Sequence, residues 1–290
     1  MSDYKIITDS TTDLSPEMVE ELELHIIPMI FNIGGKDYHN TPDYRELGCH
    51  EFYEMVRSGK VSLTTQINGE TFKDEVRPYL RQGLDILHLS FSSGLSSTYS
   101  SVSIAAEDLR EEFPDRKIVI IDTLSESMGE GLLAYHAATR RLQGMSLDEV
   151  AAWVEENKLH MAHWFTVDDL DCLKRGGRLS SASAFFATVL NVKPVLHSDN
   201  DGKLVAMEKI RGRKKSLDCL VDHMEKTAID PENQVVFISH ADALEDAQYV
   251  ERQVRSRLGV KTIYINPIGP VIGGHSGPST IALFFLASKR

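Results

Sequence analysis

The segment from Leu84 to Arg110 constrains the fold more than any other. A short apolar run, Leu84 to Leu89, passes through Ser90-Phe91-Ser92-Ser93-Gly94 into a helical pattern from Leu95 to Arg110. A strand that ends in small polar residues and opens a helix is the building unit of α/β folds. The same alternation runs along the whole chain. Strands are expected at Lys5–Thr8, Leu24–Phe31, Leu84–Leu89, Lys117–Ile121, Met161–Val167, Leu204–Ile210, Val235–Ser239 and Lys261–Asn266. Helices are expected at Pro16–Glu23, His50–Arg57, Gly69–Arg81, Leu95–Arg110, Gly129–Gln143, Leu147–Lys158, Val167–Lys174, Ser180–Leu190, Gly212–Thr227 and Ala241–Leu258. Two helix starts carry their own signals. Ser15-Pro16 places a cap before a proline in the first turn, and Ser146 with Glu149 reads as a capping box.

A chain of 290 residues has room for one large core or two moderate ones. Polar residues and glycines crowd together just after Met161–Val167. The expected fold is therefore two α/β domains with mainly parallel sheets, over 1–159 and 160–290, and a ligand crevice between them. The formal net charge of −12 argues against nucleic acid or an anionic membrane surface as partner, because both require basic protein surface. The opening Met1-Ser2-Asp3-Tyr4-Lys5 lacks a leader pattern, and no apolar run approaches the roughly 20 residues that span a bilayer. Cys49, Cys172 and Cys219 are odd in number and far apart. That points away from a disulfide framework or a cysteine-based zinc site and toward a reducing cytoplasm. His160 and His163 face opposite sides of an expected strand, so the histidines offer no metal ligand set either.

Several polar segments are placed to bind something. Ser92, Ser93 and Gly94 precede a helix, where free N–H groups and the helix dipole favour an anion. The segment has neither a phosphate-loop lysine nor dinucleotide glycine spacing, so a small carboxylate fits it better than a triphosphate. Thr64-Thr65-Gln66 offers hydroxyls and an amide ahead of another helix. Asp122 stands at a strand end, where it can orient neighbouring hydroxyls. Asp9-Ser10-Thr11-Thr12-Asp13 places two carboxylates four residues apart, but a polar turn before the Pro16 helix explains them without a cation. Lys174-Arg175-Gly176-Gly177-Arg178 and the run Lys209 to Lys215, which includes Arg211, concentrate positive charge in an acidic chain. Such patches suit an acidic or phosphate-bearing partner. Ile268 to Pro278 encloses His275 among four glycines and two prolines, a shaped loop that brings backbone close to a ligand. Ser93 and His275 together also permit a serine-dependent acyl hydrolase, or a phosphoryl transferase on a small acyl substrate.

In order along the chain, these segments resemble the DegV family of bacterial fatty-acid-binding proteins. The resemblance runs through Ile7 to Leu14, Thr64-Thr65-Gln66, Phe91 to Tyr99 and Ile121-Asp122-Thr123. It continues through Leu173 to Ser180, Val192 to Leu196, Asp201 to Leu204, Arg211 to Lys215 and Gly273 to Pro278. It implies a two-domain α/β fold with a long-chain fatty acid between the domains and no cofactor. The carboxylate would meet Thr64, Ser93, Gly94 and His275, with Thr65, Ser92 and Asp122 in support. It further implies a carrier without chemistry of its own, which presents the acid to a separate fatty-acid kinase for acyl-phosphate formation. Arg178 and Arg211 match residues implicated in that docking. The chain departs from the family pattern at Ile67-Asn68, at Ser97 where glycine is usual, and at Ala184-Phe185-Phe186-Ala187.

Overall fold

The computed structural model describes residues 4–168, 170–179 and 191–290, and three sheets organise these described residues. The strands are β1 (Tyr4–Asp9), β2 (His25–Ile27), β3 (Met29–Ile33), β4 (Lys36–Asn40), β5 (Ser62–Thr64), β6 (Asp85–Ser90) and β7 (Ile118–Asp122). They continue with β8 (Met161–Thr166), β9 (Val192–Ser198), β10 (Leu204–Arg211), β11 (Val235–His240), β12 (Thr262–Pro267) and β13 (Ile281–Leu286). The helices are α1 (Pro16–Glu21), α2 (Cys49–Arg57), α3 (Gly69–Arg81), α4 (Thr98–Glu112) and α5 (Met128–Leu142). The remainder are α6 (Leu147–Asn157), α7 (Asp171–Gly176), α8 (Arg213–Thr227), α9 (Leu244–Leu258) and α10 (Pro270–Ser276). The helix expected over 180–190 lies outside the described residues.

Strands β2-β1-β6-β7 form a wholly parallel sheet. Parallel neighbours need crossovers, and the crossover helices cover both faces. Ile6 and Leu87 accordingly pack with α5 and α6, whereas the adjacent Ile7 and Ile86 pack with α3 and α4. A small antiparallel sheet, β4-β3-β5, arises where one strand was expected. Pro28 lacks the N–H that a continuing ladder needs, so Leu24–Phe31 divides into β2 of the parallel sheet and β3 of the small one.

The largest sheet, β10-β9-β8-β13-β11-β12, is mixed. Within it β11 and β12 run parallel, and the other pairings are antiparallel. The α/β class stands, but this sheet departs from the mainly parallel expectation. The C-terminal run Ile281–Leu286 turns back and inserts as β13 between β8 and β11. Helix α5 lies between the two large sheets and is buried nearly all round. Its Leu132, Leu133 and Ala134 share one core with Leu87 and Leu89 of β6 and with Phe237 and Phe284 of the mixed sheet. On the outer face of the mixed sheet, Trp164, Ile238 and Leu283 pack with α8 and α9. Alternate strand residues face opposite ways. His163, Phe165, Ala282 and Phe284, paired across β8 and β13, therefore all lie on the inner face. No helix among the described residues is long and apolar enough to cross a membrane.

Candidate functional site

A cavity of about 240 Å³ lies where the small sheet, the loop before α4, helix α10 and the inner face of the mixed sheet meet. Phe165, Leu204, Ala282 and Phe284 give it an apolar wall, extended by Val271 and Ile272 of α10. Thr64, Thr65 and Gln66 follow from β5, and Ser96, Ser97 and His275 complete a polar wall. Such a cavity suits an amphiphile: a long apolar part with one polar group.

The glycine-rich segment expected as a loop is in fact the helix α10. Pro270 takes its first position, where a fixed φ and a missing N–H are tolerated, and Gly277 follows its end at φ 81°. This short helix carries His275 to β5, where its Nε2 lies 2.9 Å from Thr64 Oγ1. Burial, with help from the Arg178 guanidinium, pushes the His275 pKa down to about 4, so the ring is neutral. Its Nδ1 has no hydrogen-bond partner among the described residues, and a Cβ at Gly176 would lie 2.3 Å from that nitrogen. Glycine at 176 therefore makes room for the imidazole.

The serine run is displaced from where the helical pattern predicts it. Helix α4 starts at Thr98 rather than Leu95, with Ser97 at the cap position. The N-terminal amides move with it, so Ser96 and Ser97 line the cavity and Ser93 and Gly94 do not. Ser93 is exposed, and its amide donates to Asp122 Oδ1 at 3.1 Å. Asp122 also accepts from the Leu124 amide, and so fixes the loop from behind. Gly94 admits a different neighbour from the one expected. A Cβ there would lie 2.6 Å from the Asp201 carbonyl oxygen, in the turn between β9 and β10. Ser92 Oγ donates to the Gly202 carbonyl in the same turn at 2.7 Å. Ser92 and Gly94 thus latch the loop to the mixed sheet.

Thr65 lies on the cavity wall and donates to the Ile30 carbonyl. Arg178 also lines the cavity, with its guanidinium donating to the carbonyls of Leu95 and Gly176. Arg211, by contrast, is exposed at the end of β10. Sequence reasoning passed over Phe165 and Phe284 on the apolar wall. The signal available was the alternation within two apolar strands, one of which, β13, was not anticipated.

Behind the cavity lies a cluster of buried acids from the first motif. Thr11 Oγ1 contacts Asp9 Oδ1 and lies 2.7 Å from Glu130 Oε2. One hydroxyl proton cannot serve two carboxylates, an arrangement that favours a proton on one of these acids. Burial raises the pKa of both, opposed only in part by hydrogen bonds from the threonine hydroxyls and, at Asp9, from the Thr11 and Phe91 amides. Asp13 accepts from Ser127 Oγ at 2.6 Å and from the Gly269 amide at 2.9 Å, ahead of α10. Burial pushes its pKa up to about 7. An acid with a raised folded pKa binds its proton more tightly when folded. Its contribution is fully present below the unfolded pKa, near 4, and is lost as pH rises through about 7. Relative to Asp13→Asn, the wild type should lose a few kcal/mol of urea-unfolding stability between pH 4 and pH 7, at ~1.4 kcal/mol per pH unit. A constant difference between the two proteins across that window would contradict this.

Comparison with known proteins covers the whole chain. A family model described as "Uncharacterised protein, DegV family" matches residues 3–288. A DegV domain-containing protein of Clostridium perfringens is 43% identical over 290 residues, covering 100% of this chain and 99% of the relative. A solved structure of a DegV family protein from Thermus thermophilus, described as binding fatty acid, superposes with a TM-score of 0.89 at 30% identity, covering 98% of this chain and 99% of that one. DegV of Bacillus subtilis, described as a fatty acid binding protein, gives a TM-score of 0.84 at 28% identity over 99% and 100% of the two chains.

Proposed function

The chain belongs to the DegV family, and from that premise we propose that it binds a long-chain fatty acid in the cavity between its 1–159 and 160–290 domains. The observation that carries this reading is the pairing of an apolar sheet face with Thr64, Ser96 and His275 on one cavity. Each methylene transferred from water to the apolar wall contributes ~0.8 kcal/mol. A carboxylate leaving water needs donors in return. With the ring proton on Nε2, His275 donates to Thr64 Oγ1 and leaves the Thr64 hydroxyl proton free to give; the Thr98 amide is taken by Ser96 Oγ, and the amides after it in the first turn of α4 lack helical partners. The relatives from Thermus thermophilus and Bacillus subtilis, described as binding fatty acid, support the ligand class. In the finer form of the proposal, the bound acid is presented to a separate kinase, which would meet the exposed Arg211 at the end of β10 and reach Arg178 at the cavity wall. Formation of acyl phosphate from the bound acid by an added fatty-acid kinase tests it.

The hydrolase alternative is disfavoured. The hydrogen-bond partner of His275 is Thr64, and Ser93 is not on the cavity wall. Among the described residues the other ring nitrogen has no carboxylate to orient it, as an activated nucleophile requires. A pKa near 4 also makes His275 a poor general base at neutral pH.

Fatty-acid affinity measured by displacement of a fluorescent acyl probe tests the carboxylate placement. Thr64→Val and Ser96→Ala should each weaken binding by about 1.5–3 kcal/mol, the range for a hydrogen bond to a charged group. Ser93→Ala should stay near wild type. Full affinity in both Thr64→Val and Ser96→Ala would sink the placement, and full loss in Ser93→Ala would return it to the earlier serine.

A further inference from the structure

On the outer face of the mixed sheet, away from the cavity, three metal-ligating side chains converge. Cys219 and His223 are four residues apart on α8 and so share one stripe of that helix. Glu208 joins them because of a β-bulge. Leu204 and Ala206 of β10 belong to the inner core, and Ala206 pairs with Leu196 of that core. The register then shifts between Ala206 and Glu208, so Glu208 pairs with Val195, a residue of the outer core. With regular alternation Glu208 would follow Ala206 to the inner face. The bulge thus carries a carboxylate through the sheet to meet a thiol and an imidazole.

The three groups are already close. His223 Nε2 lies 2.6 Å from Glu208 Oε1, and Cys219 Sγ lies 3.6 Å from the same oxygen. One ligand atom from each residue lies within 4.8 Å of the other two. The His223 ring lies flat on Trp164, with centroids 3.4 Å apart and planes 5° from parallel, which fixes its orientation. Cys219 is buried, while the Glu208 side chain is 42% exposed and leaves one side open to water.

We propose that Glu208, Cys219 and His223 form a zinc site with its fourth position open to solvent. A thiolate, an imidazole and a carboxylate are a ligand set for this borderline-soft ion, and two anionic ligands neutralise its charge. Bonds of about 2.0–2.3 Å in a tetrahedron put ligand atoms roughly 3.3–3.6 Å apart. The Cys219–Glu208 spacing matches that separation, and the His223–Glu208 pair needs to open by less than about 1 Å. On binding, the Cys219 thiol proton passes to solvent. His223 coordinates through Nε2 with its own proton on Nδ1. The ion then clamps α8 to the edge strand β10, three residues before the exposed Arg211. Widely spaced cysteines gave no hint of a cysteine framework, but a mixed site needs only one of them, and Cys219 with His223 at helical spacing was its trace in the sequence.

Cobalt(II) titrated into the purified, metal-stripped chain is the test. One equivalent should bind, with a thiolate-to-cobalt charge-transfer band and tetrahedral d–d intensity, and zinc should displace it. Cys219→Ser should abolish the charge-transfer band. His223→Gln should weaken zinc binding by at least the roughly tenfold that even outer-sphere losses cost. No thiolate band in the wild type overturns the proposal without recourse to any variant. A band that survives Cys219→Ser overturns it as well, by assigning the metal to another cysteine.

Discussion

Ala282→Phe should leave the chain folded and nearly abolish its retention of fatty acid. Ala282 is almost fully buried on the inner face of β13, across from Phe165, and its methyl forms part of the cavity wall. The space a larger side chain needs is already there, so the overpacking cost stays toward the low end of the 1–3 kcal/mol typical of crowded cores. The ring then stands where the acyl tail would lie. If it excludes about four methylenes, at ~0.8 kcal/mol each, the loss is about 3 kcal/mol, or roughly 200-fold in affinity. The measurement is fatty-acid content by native mass spectrometry, together with a thermal melt. A folded Ala282→Phe that keeps its acid at wild-type affinity would mean that the tail does not occupy this cavity. This outcome separates the tail wall from the carboxylate contacts, because none of Thr64, Ser96 and His275 is altered.

Two helix starts set by a single stretch of chain read correctly. The Ser15 cap binds the Met18 amide ahead of Pro16, and the Ser146–Glu149 capping box forms as its spacing implied. The parallel sheet was legible because its strands are apolar runs bounded by polar turns and separated by helical periods. Other features depend on partners distant in sequence. The start of α4 moved from Leu95 to Thr98 because Ser92 and Gly94 are tied to the turn at Asp201–Gly202, over 100 residues away. That shift carried the candidate anion site from Ser93 to Ser96. The strand β4, Lys-Asp-Tyr-His-Asn, is too polar to announce itself and exists because β3 offers it an edge. Glu208 faces the outer side only through a bulge, which no two-residue alternation can reveal. Thr64 and His275 were each singled out from local chemistry, but their contact at 2.9 Å depends on how α10 seats against β5.

That seating can be broken at a single atom. A Cβ at Gly273 would lie 2.2 Å from Tyr53 Oη and 2.8 Å from its Cζ. These separations are well inside contact distance, so either Tyr53 or α10 must move. Tyr53 is fully buried, edge-on to Phe52, and its hydroxyl donates to the Ile268 carbonyl at 2.8 Å. It is held on more sides than the seven-residue helix, so α10 is the element that gives way, and His275 leaves Thr64 with it. Gly273→Ala should therefore cost about 2–3 kcal/mol of unfolding free energy, the upper range for an overpacked core. Fatty-acid affinity should fall together with stability. Tyr53→Phe removes the nearest clashing atom, so the double variant should recover part of both losses, with a coupling in the 0.5–3 kcal/mol range of contacting residues. Urea unfolding and acyl-probe displacement on the two single variants and the double variant measure that coupling. Strictly additive losses would mean that α10 does not rest on Tyr53, and that something else holds His275 over the cavity.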